Sequence, residues 1–236
     1  AELKAEALRR AAGLAIRYAS ARKDDGTLIF LPKDTAKAIG LTESAKAICE
    51  GAILAGYKCT QFKTKKDEIF EVKGFEIASD IDAKGQKACV EGIRLGTIMA
   101  ESQNHARAMD DQPANIATPL KVAQWAKKLA EEENLAIEIF DGAKMKRMGM
   151  NALLAVAKGS VNPPVLIRLE YNRGKKLPLH IVVGKGVTFD SGGISIKPSA
   201  GMHEMKYDKS GAMNVLGVMR AGSRLKLPIR EVGLMP

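Results

Sequence analysis

Long apolar runs are missing from this chain. No stretch of about 18 uninterrupted apolar residues occurs, so no transmembrane helix is expected. The first residues, Ala1-Glu-Leu-Lys-Ala-Glu6, mix charges and contain no continuous apolar core of the kind a secretory leader needs, so none is expected here. Aromatic residues make up only 5%, too few for the stacked-base platforms of single-strand nucleic-acid binders. Cysteine is sparse: Cys49, Cys59 and Cys89 are odd in number and sit at unrelated spacings, which fit no zinc motif. They read as free, buried thiols of a reducing compartment. What remains is ordinary for a packed protein. The 236 residues are 46% hydrophobic, enough for one large domain or two small ones. The net charge of +10 permits a nucleic-acid or phosphate partner, but the lysines are spread along the whole chain rather than gathered in one run.

The pattern of hydrophobic residues predicts alternating helices and strands. Leu3, Leu8, Ala11, Leu14, Ala15 and Tyr18 recur at helical spacing over residues 2–20. A strand is expected at 27–31, stopped by Pro32, and a helix at 42–56 with Thr42 as its cap. Segments 68–72 and 74–78 read as two more strands, giving a small three-stranded α/β layer. Residues 87–109 contain no proline and read as one long helix. The stretch from Asp110 to Pro119 carries two prolines, and a domain boundary is placed there. Thr118-Pro119 then suits the cap and first turn of a helix running to about Glu133. Beyond it, strands are expected at 136–140, 152–157, 165–171, 179–183 and 229–235. Helices are expected at 143–148 and 210–225. The fold class is therefore α/β: a small N-terminal α/β domain (1–86), a linker helix (87–110), and part of a doubly wound catalytic α/β domain (111–236).

The chemistry concentrates between residues 183 and 208. Lys185 lies between Gly184 and Gly186, which is expected to let the backbone turn sharply there. Asp190, Lys197 and Asp208 follow. Two aspartates held together repel unless they are protonated or share a cation. A lysine ligates a metal only as the neutral amine, so its pKa must fall from about 10.4. Taken singly, these residues read as turn formers and solvated charges, as do Lys206 and Lys209. Ser191 lies outside any Gly-x-Ser-x-Gly elbow. His203 reads as a surface residue, and His105 and His180 have no partner pattern.

In order and context, however, Gly184-Lys-Gly-Val-Thr-Phe-Asp-Ser-Gly-Gly193, then Ile194-Ser-Ile-Lys197 and Met205-Lys-Tyr-Asp208, resemble the core of the leucyl aminopeptidases, the dinuclear-metal M17 peptidases. Pro113-Ala-Asn-Ile-Ala-Thr-Pro119, Met150 to Ser160 and Asn162-Pro-Pro-Val165 are similar to the same family. The resemblance implies roles residue by residue. Lys185 matches a metal-ligating lysine, Asp190 the carboxylate that bridges both metals, and Asp208 a terminal carboxylate ligand. Lys197 matches the catalytic cation that polarises the scissile carbonyl, and Met205 a residue lining the substrate side-chain pocket. The implied cofactors are two divalent ions, zinc or manganese, with magnesium as a third option. They activate a hydroxide against peptides with a free N-terminus and a leucine-like first residue. The implied setting is a cytoplasmic homohexamer with no membrane. DNA binding and a non-catalytic assembly role stand as alternatives within the same family.

The family also carries an Asn-Thr-Asp-Ala-Glu-Gly-Arg motif that supplies further carboxylates, and this sequence does not contain it. Two dications facing only Asp190 and Asp208 leave a large positive excess. The chain is therefore expected to be an incomplete portion of an aminopeptidase, inactive by itself.

Overall fold

A computed structural model describes residues 4–65 and 69–236. The chain separates into two compact units, Ala1–Asn104 and His105–Pro236. The α/β class expected from the sequence holds in both.

In the first unit, α1 (Ala5–Arg22) packs on α3 (Leu41–Gly56), with α2 (Lys33–Ile39) between them in sequence. The α1–α3 crossing is close because small residues face each other: a Cβ on Gly51 would lie 2.0 Å from the Arg9 carbonyl oxygen. Ala12, Ile16, Leu31, Ala36, Ile48 and Ala52 form the core. Thr42 does not cap α3. Gly40 occupies that position with φ 96°, and no side chain bonds the helix end. The sheet is a parallel pair, β1 (Gly26–Phe30) with β2 (Gly74–Ala78). The third strand expected at 68–72 does not form over the described residues 69–72, and Glu68 lies outside the described residues. Cys49 and Cys89 are buried and Cys59 half-buried, all as free thiols. The long helix, α4, runs from Ala83 to Asp110, and its residues 105–110 belong to the second unit.

The second unit is built on four strands: β3 (Ala136–Asp141), β4 (Val165–Tyr171), β5 (Leu179–Val183) and β6 (Arg230–Met235). Their order is β3-β4-β6-β5, with β3–β4 and β4–β6 antiparallel and β5–β6 parallel. A parallel neighbour requires a crossover. It is made by α8 (Ser210–Arg224), which packs against β6. The helix α5 (Pro119–Glu133) begins as its sequence predicts: Thr118 Oγ1 accepts from the Lys121 amide at 3.3 Å, and Pro119 sits in the first turn. Leu129, Ile167, Leu169, Leu216, Met219 and Met235 fill the core between the two helices and the sheet. Burying each such side chain contributes about 1.5–3 kcal/mol.

The segment expected as a strand at 152–157 is instead a helix, α7 (Asn151–Ala157), after the short α6 (Gly142–Arg147). Ala-Leu-Leu-Ala is a strong helix-forming run, and its length alone did not separate the two readings. At the free edge of the sheet, β5 exposes Leu179, Ile181 and Val183 by 51–63%, all on one face, while Val182 packs on the core. Among the described residues no helix is long and apolar enough to cross a membrane.

Candidate metal centre

The candidate site lies where β5 ends and α8 begins, the carboxyl-terminal edge at which open α/β sheets place ligands. Lys185 leaves the strand one residue after Gly184. Neither Gly184 nor Gly186 has a positive φ. These glycines serve close approach rather than a sharp turn. A Cβ on Gly184 would stand 2.1 Å from the Gly211 carbonyl oxygen, and one on Gly186 2.7 Å from that of Pro236. The bare backbones let the Ala212 amide donate to the Lys185 carbonyl at 2.9 Å. On the other side, the Gly184 amide donates to Leu234 at 2.9 Å and the Gly186 amide to Pro236 at 2.8 Å. Lys185 is thus stitched to the start of α8 and to the end of β6.

That anchoring brings Lys185 Nζ to 2.7 Å from Asp208 Oδ1. Asp208 follows a short 3-10 helix, Met202–Tyr207, and its amide donates to the Met205 carbonyl at 3.2 Å. Its other oxygen, Oδ2, is buried without a protein partner. Asp190 sits in the loop between, where Gly192 takes φ 92° and the Lys197 amide donates to the Ser191 carbonyl at 3.0 Å. The tight turn places Lys197 Nζ 3.2 Å from Asp190 Oδ2, while the Gly192 amide donates to Oδ1 at 2.9 Å. The Gly192 amide, then the Lys197 ammonium, and at longer range the Lys185 charge hold the Asp190 carboxyl below the usual aspartate range.

The four residues chosen from sequence therefore fold into two ion pairs, Lys185–Asp208 and Lys197–Asp190, and the charge of Lys185 reaches Asp190 as well. Met205 joins through its backbone and is half-buried. His203 is exposed, as expected. The two other lysines read as solvated charges behave differently. Lys206 is half-buried, donates to the Asp111 carbonyl at 3.4 Å and lies 4.6 Å above the Tyr207 ring. Lys209 is fully buried. Its ammonium donates to the carbonyls of Asp110 (2.7 Å), Gln112 (3.0 Å) and Lys206 (2.5 Å). Burial pushes its pKa down while Asp110 pulls it up. Burial likewise raises the Asp110 carboxyl, which accepts from Ser210 Oγ at 2.6 Å. Sequence reasoning passed over this lower tier. Its one visible signal is the Asp110-Asp111 pair standing directly before the proline break.

Asp190 and Asp208 are carboxylates of the hard-oxygen type that suits divalent ions such as manganese or magnesium, and here they stand in separate ion pairs with Lys197 and Lys185. The partnerless Oδ2 of Asp208 fits the same use. Among the described residues there is no group of three or more His, Cys, Asp or Glu placed to hold a metal.

Comparison with known proteins follows the same division of the chain. The model of the cytosol aminopeptidase family catalytic domain matches residues 104–236, and that of the family's N-terminal domain matches residues 1–66. The chain belongs to the cytosol aminopeptidase family. It is 43% identical over 230 residues to the probable cytosol aminopeptidase of Aquifex aeolicus (strain VF5), covering 96% of this chain and 44% of that protein. It is 38% identical over 228 residues to that of Persephonella marina (strain DSM 14350 / EX-H1), covering 97% and 45%. The chain thus spans less than half the length of these curated relatives. Among solved structures, the bottromycin maturation enzyme BotP in complex with Mn matches with a TM-score of 0.81 at 32% identity, covering 98% of this chain and 47% of that one. The cytosol aminopeptidase from Coxiella burnetii matches with a TM-score of 0.72 at 25% identity, covering 89% and 42%.

Proposed function

We propose that these residues form part of a metal-dependent aminopeptidase that releases N-terminal, leucine-like amino acids from peptides in the cytoplasm. The observation that carries the reading is the Lys185–Asp208 and Lys197–Asp190 arrangement at the end of β5, in a member of this family. The manganese reported with BotP supports a metal-dependent reading of this chain. Lys185, Asp190 and Asp208 would hold two divalent ions, Mn or Zn. When bound, the ions supply Lewis acidity and neutralise the paired carboxylates.

The chain's own residues do the rest. Asp190, held deprotonated by the Gly192 amide and Lys197, offers an ionised carboxylate at neutral pH. Lys197, displaced from Asp190 when that carboxylate is engaged, turns its charge toward the carbonyl oxygen of the substrate, where negative charge develops. Met205 lines the pocket for the first side chain. Two carboxylates do not balance two dications, so further carboxylates complete the site. We place them in polypeptide of the kind that makes up the other half of the relatives. A homohexamer is the assembled state this reading carries with it.

The experiment is a manganese titration of the 236-residue chain and of Asp190→Ala, with bound metal counted by elemental analysis. Saturable Mn²⁺ binding to the chain, reduced at least tenfold by Asp190→Ala, is expected. Unchanged stoichiometry and affinity in Asp190→Ala would remove Asp190 from the site. Hydrolysis of leucine anilide is expected to be absent in this chain by itself and present in a chain extended to the length of the relatives.

A further inference from the structure

The four residues that flank Asp208 all bond in one direction. Lys206 Nζ donates to the Asp111 carbonyl, Tyr207 OH to Asp111 Oδ1 at 3.0 Å, Lys209 Nζ to the carbonyls of Asp110 and Gln112, and Ser210 Oγ to Asp110 Oδ2. Asp208 alone turns away from the 110–112 segment and meets Lys185. The segment is separated from this turn by nearly 100 residues of chain, so its place there is a tertiary choice.

Lys209 is the central member. An ammonium carries three donors, and all three are used on main-chain carbonyls. The nearest carboxylate, that of Asp110, stands 3.9 Å away, beyond hydrogen-bond reach. The lysine is therefore a cross-link between backbones more than a partner in an ion pair. Because it is the residue next to Asp208, any slack in it passes directly to the Asp208 carboxylate.

We propose that Lys209 is a positioning residue: its buried ammonium, spread over three carbonyls, pins the Met202–Tyr207 turn to the 110–112 segment and so holds Asp208 in front of Lys185. The inference rests on the reading of Asp208 as a metal ligand only for its consequence. The pairing it controls is measurable without metal. A methionine of similar length would fill the space and remove the lysine's three hydrogen bonds from these part-buried carbonyls. An arginine would keep the charge and the donors.

The test uses the whole chain with its aspartates carbon-13 labelled at the carboxyl, free of metal. The Asp208 carboxyl resonance is assigned by Asp208→Asn, and its shift without the lysine partner is fixed by Lys185→Met. In Lys209→Met the resonance is expected to move most of the way to the Lys185→Met position. In Lys209→Arg it should return toward wild type. Amide exchange in the 202–213 peptide should quicken at least tenfold in Lys209→Met while that of β4 stays unchanged. If Lys209→Met does not fold, Lys209→Gln, which keeps two donors, takes its place in the same comparison. An Asp208 resonance that stays at its wild-type position in the folded variant overturns the proposal. A parallel titration with Mn²⁺ alone should show affinity at least tenfold weaker in Lys209→Met than in wild type. Wild-type protein that binds no Mn²⁺, while its Asp208 resonance still responds to Lys209→Met, would retire the metal reading and uphold the positioning role.

Discussion

Replacing Gly184 by alanine is the sharpest probe of how the candidate site is built. The added Cβ would lie 2.1 Å from the Gly211 carbonyl oxygen, 2.3 Å from its carbon and 2.8 Å from the Ala212 nitrogen. All three are backbone atoms, so no side chain can swing aside. Ordinary contact begins near 3.4 Å, and the loop must retreat from α8 by about 1 Å. Overpacking of this kind costs about 1–3 kcal/mol. Retreat also stretches two hydrogen bonds, Gly184 to Leu234 and Ala212 to Lys185, worth about 1 kcal/mol each. A total of about 3–5 kcal/mol corresponds to a melting point lower by about 6–20 °C for a protein of this size. Thermal unfolding followed by circular dichroism measures it. Gly193→Ala is the control from the same motif, because a Cβ there meets nothing within 4 Å. It should stay within about 0.5 kcal/mol of wild type. If Gly184→Ala melts within a degree of wild type, the close approach of the two backbones is not what holds Lys185 in place.

Two further outcomes concern the buried Glu231 and the role proposed for Lys197. Glu231 is buried with Oε2 unpartnered, and burial pushes its carboxyl up while His180 pulls it down. An acid whose folded pKa is raised destabilises the fold as pH climbs from the ordinary value of 4.5 through the folded one, and costs nothing below both. Glu231→Gln should therefore match wild type in melting point below pH 4.5 and exceed it once the pH has climbed through the folded pKa; a gap that does not change with pH contradicts this. Lys197→Ala, in a chain extended to the length of the relatives, should keep its bound manganese and lose about 10²–10³-fold in kcat, as removal of a single donor at a developing oxyanion does. Loss of metal with normal kcat at saturating manganese would instead make Lys197 structural.

The legible parts of the fold are those with local punctuation. The strands β4 and β5 are rich in Val, Ile and Leu and lie next to Pro164 and Pro178, and their predicted limits agree with the structure. Thr118-Pro119 announces α5 in the same way. The α7 segment has no such markers, since a short run of Ala, Leu and Val is apolar on every face and periodicity cannot separate helix from strand. In the site, the motif picks out four charged residues, which the structure joins as two ion pairs. It does not show that Gly184 and Gly186 are needed for backbone contact, because that depends on Gly211 and Pro236 arriving from elsewhere. Lys209 was illegible for a related reason. In Asp-Lys-Ser-Gly a lysine reads as solvated, and the three carbonyls that bury it come from distant turns of the chain or from the preceding helix.

The outward-facing Leu179, Ile181 and Val183 of β5 give the chain a particular colloidal behaviour. An edge strand offers free N–H and C=O groups along one side, and here a greasy row lies beside them. Mutual repulsion between molecules of net charge +10 opposes the meeting of two such edges in dilute buffer. That repulsion reaches about 10 Å at 0.1 M salt and only about 3 Å at 1 M. Added salt, the usual remedy for a sticky basic protein, therefore removes the barrier and leaves the apolar attraction intact. Light scattering should rise, not fall, as sodium chloride is increased, and the chain is best kept at low ionic strength.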